Sequence, residues 1–347
     1  MSNTSNVDNS VANPGEMGWG EEIQSPATKF AEEQKNFQMI AESDPDFVTR
    51  RETMAENAGI VKSVKDLMLA DGMVGGFCAR YVEKVIFGKH FDWKAQLIGS
   101  CVASGGMRLM ARRALIEVFM LNDPEDIFGT SIVGINNVAP FGPYSYRAGR
   151  RLANMNSGDG SYCSVHVKGA NQFGILPCST PGLVSDDFPE PQNTTLYRNW
   201  GNSNSYMDKF VETGKLYKLL ETELVKDVDQ TKIVLVEQKK PLMICSMWAF
   251  RPDYQHPTWK LSDGTPVWIY KRDTSTSWAH NMSVDGFITG PDNKEYVLIE
   301  NSWGMNAHKN GPYFIIPVQL YASWCNNSEQ QTIGEIDLTN ISPAPLP

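Results

Sequence analysis

From Pro241 onward the chain is a series of short apolar runs, PLMICSMWAF, PVWIY, SVDGFITG, YVLIEN and GPYFIIPV, separated by turn residues. Runs of that length between turn formers read as strands. Gly290-Pro291-Asp292-Asn293 marks a hairpin between two of them. The preceding part has a different texture. Val61, Val64, Leu67 and Met68 form an apolar stripe that Asp71-Gly72 closes. Met107, Met110, Leu115, Val118 and Phe119 recur on one side of a second helical run. Asn122-Asp123-Pro124 ends it, because proline cannot continue a helix and restricts the residue before it. Residues 206–226 carry a further helical pattern, and Phe30, Phe37 and Ile40 a weaker one over 28–43. Helices first and strands after predict an α+β chain, a helical lobe packed on an antiparallel sheet lobe.

A chain of 347 residues suffices for one large domain or for two lobes sharing a cleft. The organisation expected is an N-terminal arm and helical extension over 1–60, a helical lobe over 61–200 and a β-rich lobe over 201–347. Residues 1–27, rich in Asn, Ser, Gly, Pro and Glu, have little to bury and read as an extended arm suited to protein assembly. A net charge of -9 lacks the basic footprint of a nucleic-acid binder. The pairs Arg112-Arg113 and Arg150-Arg151 read as solvated faces. No window approaches the roughly 20 apolar residues of a membrane helix. The start, MSNTSNVDNS, has neither the basic nor the apolar region of a secretory signal. A cytoplasmic or particle-associated location, a virion included, is therefore expected. Cys78, Cys101, Cys163, Cys178, Cys245 and Cys325 are widely spread with no CxxC pair, which predicts free thiols in a reducing compartment. Cys163-x-x-His166 lacks a second pair at zinc spacing, so no metal is expected. Without a phosphate-binding glycine loop, no nucleotide or other cofactor is expected either.

Cys101 opens the second helical run, and a cysteine nucleophile needs its thiolate. The positive end of a helix and a nearby imidazolium both favour that form. Of His90, His166, His256, His280 and His308, His280 stands out because it opens an apparent strand, SWAHNMSVDGF. A base on a rigid sheet facing a nucleophile on a rigid helix is a workable geometry. Asn301 follows 21 positions later, after the hairpin, where its amide oxygen can accept the ring N–H and fix the tautomer. His256 and His308 read as loop and turn residues.

The blocks GSC before a helix, AHN before a strand, and ENSWG followed by NGPYFI resemble the three catalytic blocks of papain-like (C1-type) cysteine peptidases, in the same order. The resemblance covers residues 90 to 320 in patches. It implies a papain-like two-lobed fold with the cleft between the lobes, and a peptide or protein substrate. By it, Cys101 is the nucleophile, His280 the general base and acid, and Asn301 the orienting residue. It further implies that Trp303 shields the His–Asn hydrogen bond. Gln96 and the backbone N–H of Cys101 would form the oxyanion hole, and Gly158 and Gly160, in NMNSGDGSYC, would line the cleft and bind substrate. The chain departs from the family at Val102, where an aromatic residue is usual, and at Gln96, one residue closer to the cysteine than usual. It also lacks a cysteine in the loop before Cys101. The 179 positions from Cys101 to His280 exceed the roughly 130–150 of the papain pattern.

Two other readings stand beside this one. The first is a papain-fold structural or assembly component, of a viral particle for example, with weak or lost activity. The second is another Cys–His hydrolase or acyltransferase, such as a cell-wall amidase.

Overall fold

In the computed structural model the described residues are 47–73, 75–88, 90, 95–121, 139–183, 193–255, 259–260, 266–290, 292–304, 308 and 311–337. The chain divides into two compact units, Met1–Arg51 and Glu52–Pro347. The expected arm over 1–27 and helix over 28–43 lie outside the described residues.

The second unit is α+β. Its strands are β1 (Leu242–Pro252), β2 (Trp259–Lys260), β3 (Pro266–Val267), β4 (Tyr270–Thr289), β5 (Glu295–Glu300), β6 (Tyr313–Pro317) and β7 (Glu329–Thr332). Five of them form one sheet in the order β6-β5-β4-β1-β7, every neighbouring pair antiparallel. The expected hairpin joins β4 to β5, with Gly290 N–H donating to Lys294 O and Asn293 in the left-handed region at φ 60°. Alternation along β4 assigns its two faces. Met282 and Val284 join Leu242, Ile244, Phe314 and Trp324 in one core. Asn281, Ser283 and Asp285 point the other way, onto the helix Cys101–Ile116.

That helix is buried along its whole length. The sheet covers one side, and the helices Gly142–Leu152 and Cys163–Phe173 cover others. The sequence pattern of one apolar stripe understates this, because the second contact is polar. Asn281 Nδ2 donates to Cys101 O at 3.2 Å, and Ser283 Oγ to Gly105 O at 3.4 Å. A side chain at Gly105 would collide with Asn281, and one at Gly106 with His166, so this glycine pair is what allows the close approach.

Further along the helix, Arg112 sits among three carboxylates. It reaches Glu83 at 2.8 Å, Glu300 at 2.6 Å and Asp285 at 3.1 Å. Arg108 lies 3.5 Å from Glu300 and donates to Asn301 O at 3.2 Å. Burial alone would raise Glu300, yet Arg112 and Arg108 outweigh it and hold the carboxyl at about 2. For Asp285 burial dominates and the carboxyl rises to about 6.

Three expectations are corrected. Arg112, Arg113 and Arg150 are buried, not solvated. The planar guanidinium saturates several acceptors at once: Arg150 alone reaches the carbonyls of Gly160 (2.5 Å), Ser157, Gly158 and Gly201 (3.0 Å each). Cys163 and Cys245 are disulfide-bonded, leaving Cys78, Cys101, Cys178 and Cys325 as thiols. Their spacing of 82 positions hides the pairing from the sequence; a closed loop of that size restrains the unfolded chain by roughly 4–5 kcal/mol. Finally, residues 206–226 are not one helix. Only Asn204–Met207 and Val211–Gly214 are helical within the pattern. Beyond them the chain bridges Leu219 to Ile336 and Leu224 to Gln331, covering the edge of β7 that a helix would leave open.

Replacing Arg112 with Met leaves Glu83, Asp285 and Glu300 without their shared cation in a dry interior. Urea unfolding of R112M should show a loss of about 3–5 kcal/mol. Removal of the exposed Lys232–Glu295 pair should cost under about 1 kcal/mol. Equal losses for the two would contradict this account of the cluster.

Candidate active site

The polar contact between helix and sheet ends at a cleft of about 300 Å³. Cys101 and Val102 enter it from the start of the helix, and Ser161, Tyr162 and Cys163 from the start of the helix Cys163–Phe173 and the loop before it. From β1 come Cys245, Ser246 and Met247, from β4 Ala279, His280 and Asn281, and from β7 Glu329. Sheet register sets the β1 and β4 groups side by side, since Ser246 pairs with His280 and Cys245 with Asn281.

Cys101 is the first residue of its helix and is 8% exposed. Burial pushes its thiol above the ordinary cysteine value, and the backbone N–H groups of Asn281, Val102 and Cys101 oppose that rise. Two of those donors belong to the helix's first turn, whose amides lack intrahelical acceptors and favour an anionic sulfur. The third comes from the strand that carries His280.

His280 Nε2 lies 2.7 Å from Asn301 Oδ1. An amide oxygen only accepts, so Nε2 carries the proton and Nδ1 keeps its lone pair. Asn301 is fully buried, its N–H donating to Pro312 O at 2.6 Å. Its Nδ2 donates to His308 Nε2 at 2.9 Å, so the carboxamide is clamped between two imidazoles. Trp303 stacks on His280 with centroids 4.8 Å apart at 30°, and over His308 at 6.2 Å. The indole is 37% exposed, as befits a cover with one face in water. Burial lowers His280 to about 4 against the opposing effect of the Asn301 hydrogen bond. Burial, and then the charge of His280, lower His308 to about 4.

The remaining sequence candidates lie off the cleft wall. Gln96 is tied to the turn after Asn301: its N–H donates to Ser302 O at 2.7 Å, Ser302 Oγ donates to its Oε1, and its Nε2 donates to Ile98 O at 3.0 Å. Gly158 and Gly160 take positive φ, 69° and 108°. Their carbonyls accept from Arg150, and the Gly160 N–H donates to Tyr146 Oη at 3.0 Å. They shape the loop whose following residues, Ser161 to Cys163, face the cleft.

Sequence reasoning missed Asn281, the disulfide and His308. His308 is no simple turn residue: it is 4% exposed and packed by Tyr270 and Phe314. Only the Gly105-Gly106 pair signalled the close approach to Asn281. Among the described residues no group of three or more His, Cys, Asp or Glu side chains could hold a metal, and no described helix is long and apolar enough to cross a membrane.

Burial also lowers His166 to about 4 and His90 to about 3. Between pH 6.5 and 4 the unfolded chain binds protons at these four histidines that the fold refuses. Stability is therefore present above pH 6.5 and lost as pH falls toward 4. Asp285, held up at about 6, works in the opposite sense but for a single proton. Urea midpoints should fall steadily from pH 7 to pH 4.5; a flat profile would show that these imidazoles are not buried neutral.

No protein-family model and no curated protein matches the chain. Solved structures of similar chain path include xylellain, a cysteine protease from Xylella fastidiosa (17% identity over 70% of this chain and 82% of that one, TM-score 0.48). Procathepsin B from Trypanosoma congolense aligns at 12% identity over 76% and 77% of the two chains, with a TM-score of 0.44. The bromelain protease from Ananas comosus, in complex with the inhibitor E64, aligns at 13% over 75% and 99%, with a TM-score of 0.42. At 12–17% identity and TM-scores of 0.42–0.48 these likenesses carry no statement about this chain's activity.

Proposed function

We propose that this protein is a papain-like cysteine peptidase in which Cys101 attacks a peptide carbonyl. The observation that carries the reading is the hydrogen-bonded His280–Asn301 pair, roofed by Trp303, on the same cleft as a cysteine that opens a helix. At neutral pH both partners rest uncharged, thiol and imidazole, because burial disfavours either ion. His280 Nδ1 takes the thiol proton as the sulfur bonds to the carbonyl carbon. The resulting oxyanion meets the backbone N–H of Cys101. His280 returns the proton to the departing amine, leaving a thioester. Water, deprotonated by the same ring, then releases the acid and restores the thiol.

Asn301 directs Nδ1 at the sulfur by fixing the imidazole, and His308 holds Asn301. In this scheme His308 is a positioning residue, and it must be neutral to accept from Nδ2.

Iodoacetamide offers the direct test. Cys101 is 8% exposed and rests as a thiol, so only removal of its proton by His280 Nδ1 during attack would make it label faster than the more exposed Cys178, as expected here; a slower or equal rate would count heavily against an activated nucleophile. Peptide hydrolysis should fall by about 10³ or more in C101A and in H280A. Retained hydrolysis in either variant would remove that residue from the mechanism.

The role given to His308 has its own readout. H308A should lower kcat by about tenfold or more with KM little changed, the scale seen for residues that orient a catalytic group. H308Q, whose carboxamide oxygen accepts from Nδ2, should restore most of it. Loss of stability with an unchanged kcat would reduce His308 to packing. With His280 at about 4, kcat/KM should persist at pH 5 and decline through pH 4; an acid limb near 6.5 would mean the imidazole is solvated in the working enzyme.

A further inference from the structure

The disulfide lies in the cleft wall itself. Cys163 begins the helix Cys163–Phe173, and Cys245 lies in β1 opposite Asn281, one residue before the Ser246–His280 pair. Both sulfur-bearing residues border the same cavity as Cys101. The bond therefore spans from the helical side of the cleft to the sheet that carries His280, and fixes their separation there. Asn281 connects this strut to the nucleophile. Its Nδ2 donates to Cys101 O, while its Oδ1 lies 3.2 Å from Cys163 Sγ and 3.7 Å from Cys245 Sγ, where bonded sulfurs have no proton to give.

The wall around the disulfide is mostly apolar. Val102, Met247 and Ala279 line it, and sulfur is soft and polarizable. The Ser246 hydroxyl is engaged by Trp324 Nε1 at 2.9 Å, and Glu329 accepts from Gln331 Nε2 at 3.3 Å. Ser161 Oγ, by contrast, is buried without a hydrogen-bond partner on this wall. At about 300 Å³ the cavity is at the small end of ligand pockets.

We propose that the Cys163–Cys245 disulfide is a specificity-determining wall: it fixes the width of a subsite beside Cys101 that admits a small or medium apolar side chain of the peptide and excludes the largest. The inference rests on the peptidase reading.

The test compares the wild type with C163A/C245V, in which valine keeps an apolar, strand-forming residue in β1, using peptides with Ala, Leu or Trp at each position flanking the cleaved bond. The wild type should favour Ala and Leu over Trp at one position. The variant should raise the Trp-to-Ala ratio of kcat/KM there by about tenfold, within the range expected when an apolar pocket changes by a methylene or more, with the change in KM. An unchanged ratio at every position overturns the proposal. Should the variant fail to fold, the wild type supplies the comparison, with its disulfide intact or opened by dithiothreitol. That dithiol gives two electrons and two protons to Cys163 and Cys245 and closes to its own cyclic disulfide; the same shift in ratio is expected. If no peptide is cleaved by any form, the peptidase reading alone has failed. The wall is then read from alkylation of Cys101 by chloroacetyl-Ala, -Leu and -Trp amides, where opening the disulfide must favour Trp or the proposal falls.

Discussion

The cleft depends on a polar seam between the Cys101 helix and the inner face of β4 and β5. A helix buried all round is ordinarily held by apolar contacts, which are indifferent to sliding by part of a turn. This one is held by Asn281 on Cys101 O, Ser283 on Gly105 O, and Arg112 among Glu83, Asp285 and Glu300. Each contact is directional, and each leaves an unsatisfied buried group if the register slips. Such seams add little net stability compared with apolar packing. What this one supplies is a fixed position for the sulfur relative to His280, one residue from Asn281.

The same charges extend to the other end of the site. Glu300, held ionised by Arg112 and Arg108, precedes Asn301, and Arg108 also holds the Asn301 carbonyl. Packing of the helix and orientation of the amide that grips His280 are thus parts of one network. His308 completes it on the far side of the Asn301 amide, with Trp303 across both rings. Water exclusion has an electrostatic consequence here. The burial that strengthens these hydrogen bonds also lowers both imidazoles and raises the thiol, so all three groups rest uncharged at neutral pH.

The disulfide acts at a different point of the same cleft. Hydrogen bonds of the seam set where Cys101 sits, whereas the Cys163–Cys245 bond sets how far the loop after Gly160 stands from β1. A reducing environment would leave the first constraint in place and relax the second. The buried arginines make a comparable division of labour: Arg112 serves the seam, and Arg150 gathers the carbonyls of the glycine loop so that Ser161 to Cys163 face inward.

The sequence by itself determined the local features. The apolar stripe ended by Asp71-Gly72, the helix beginning at Cys101, the β4–β5 hairpin and the α+β order follow from periodicity and turn chemistry, which act over a few residues. The hairpin also returns Asn301 to His280, so that pair is legible in the sequence. Tertiary structure alone decided the rest, because it concerns groups that no local pattern relates. Cys163 meets Cys245 across 82 positions, and Arg112 finds acids 29 and 188 positions away. His308 becomes a partner of Asn301 through the folding of a turn, and residues beyond Gly214 abandon a helical pattern to cover a sheet edge. Burial is the common reason: it turns arginine from a solvated charge into a crosslink and silences ordinary imidazoles, and it exists only once distant segments have packed.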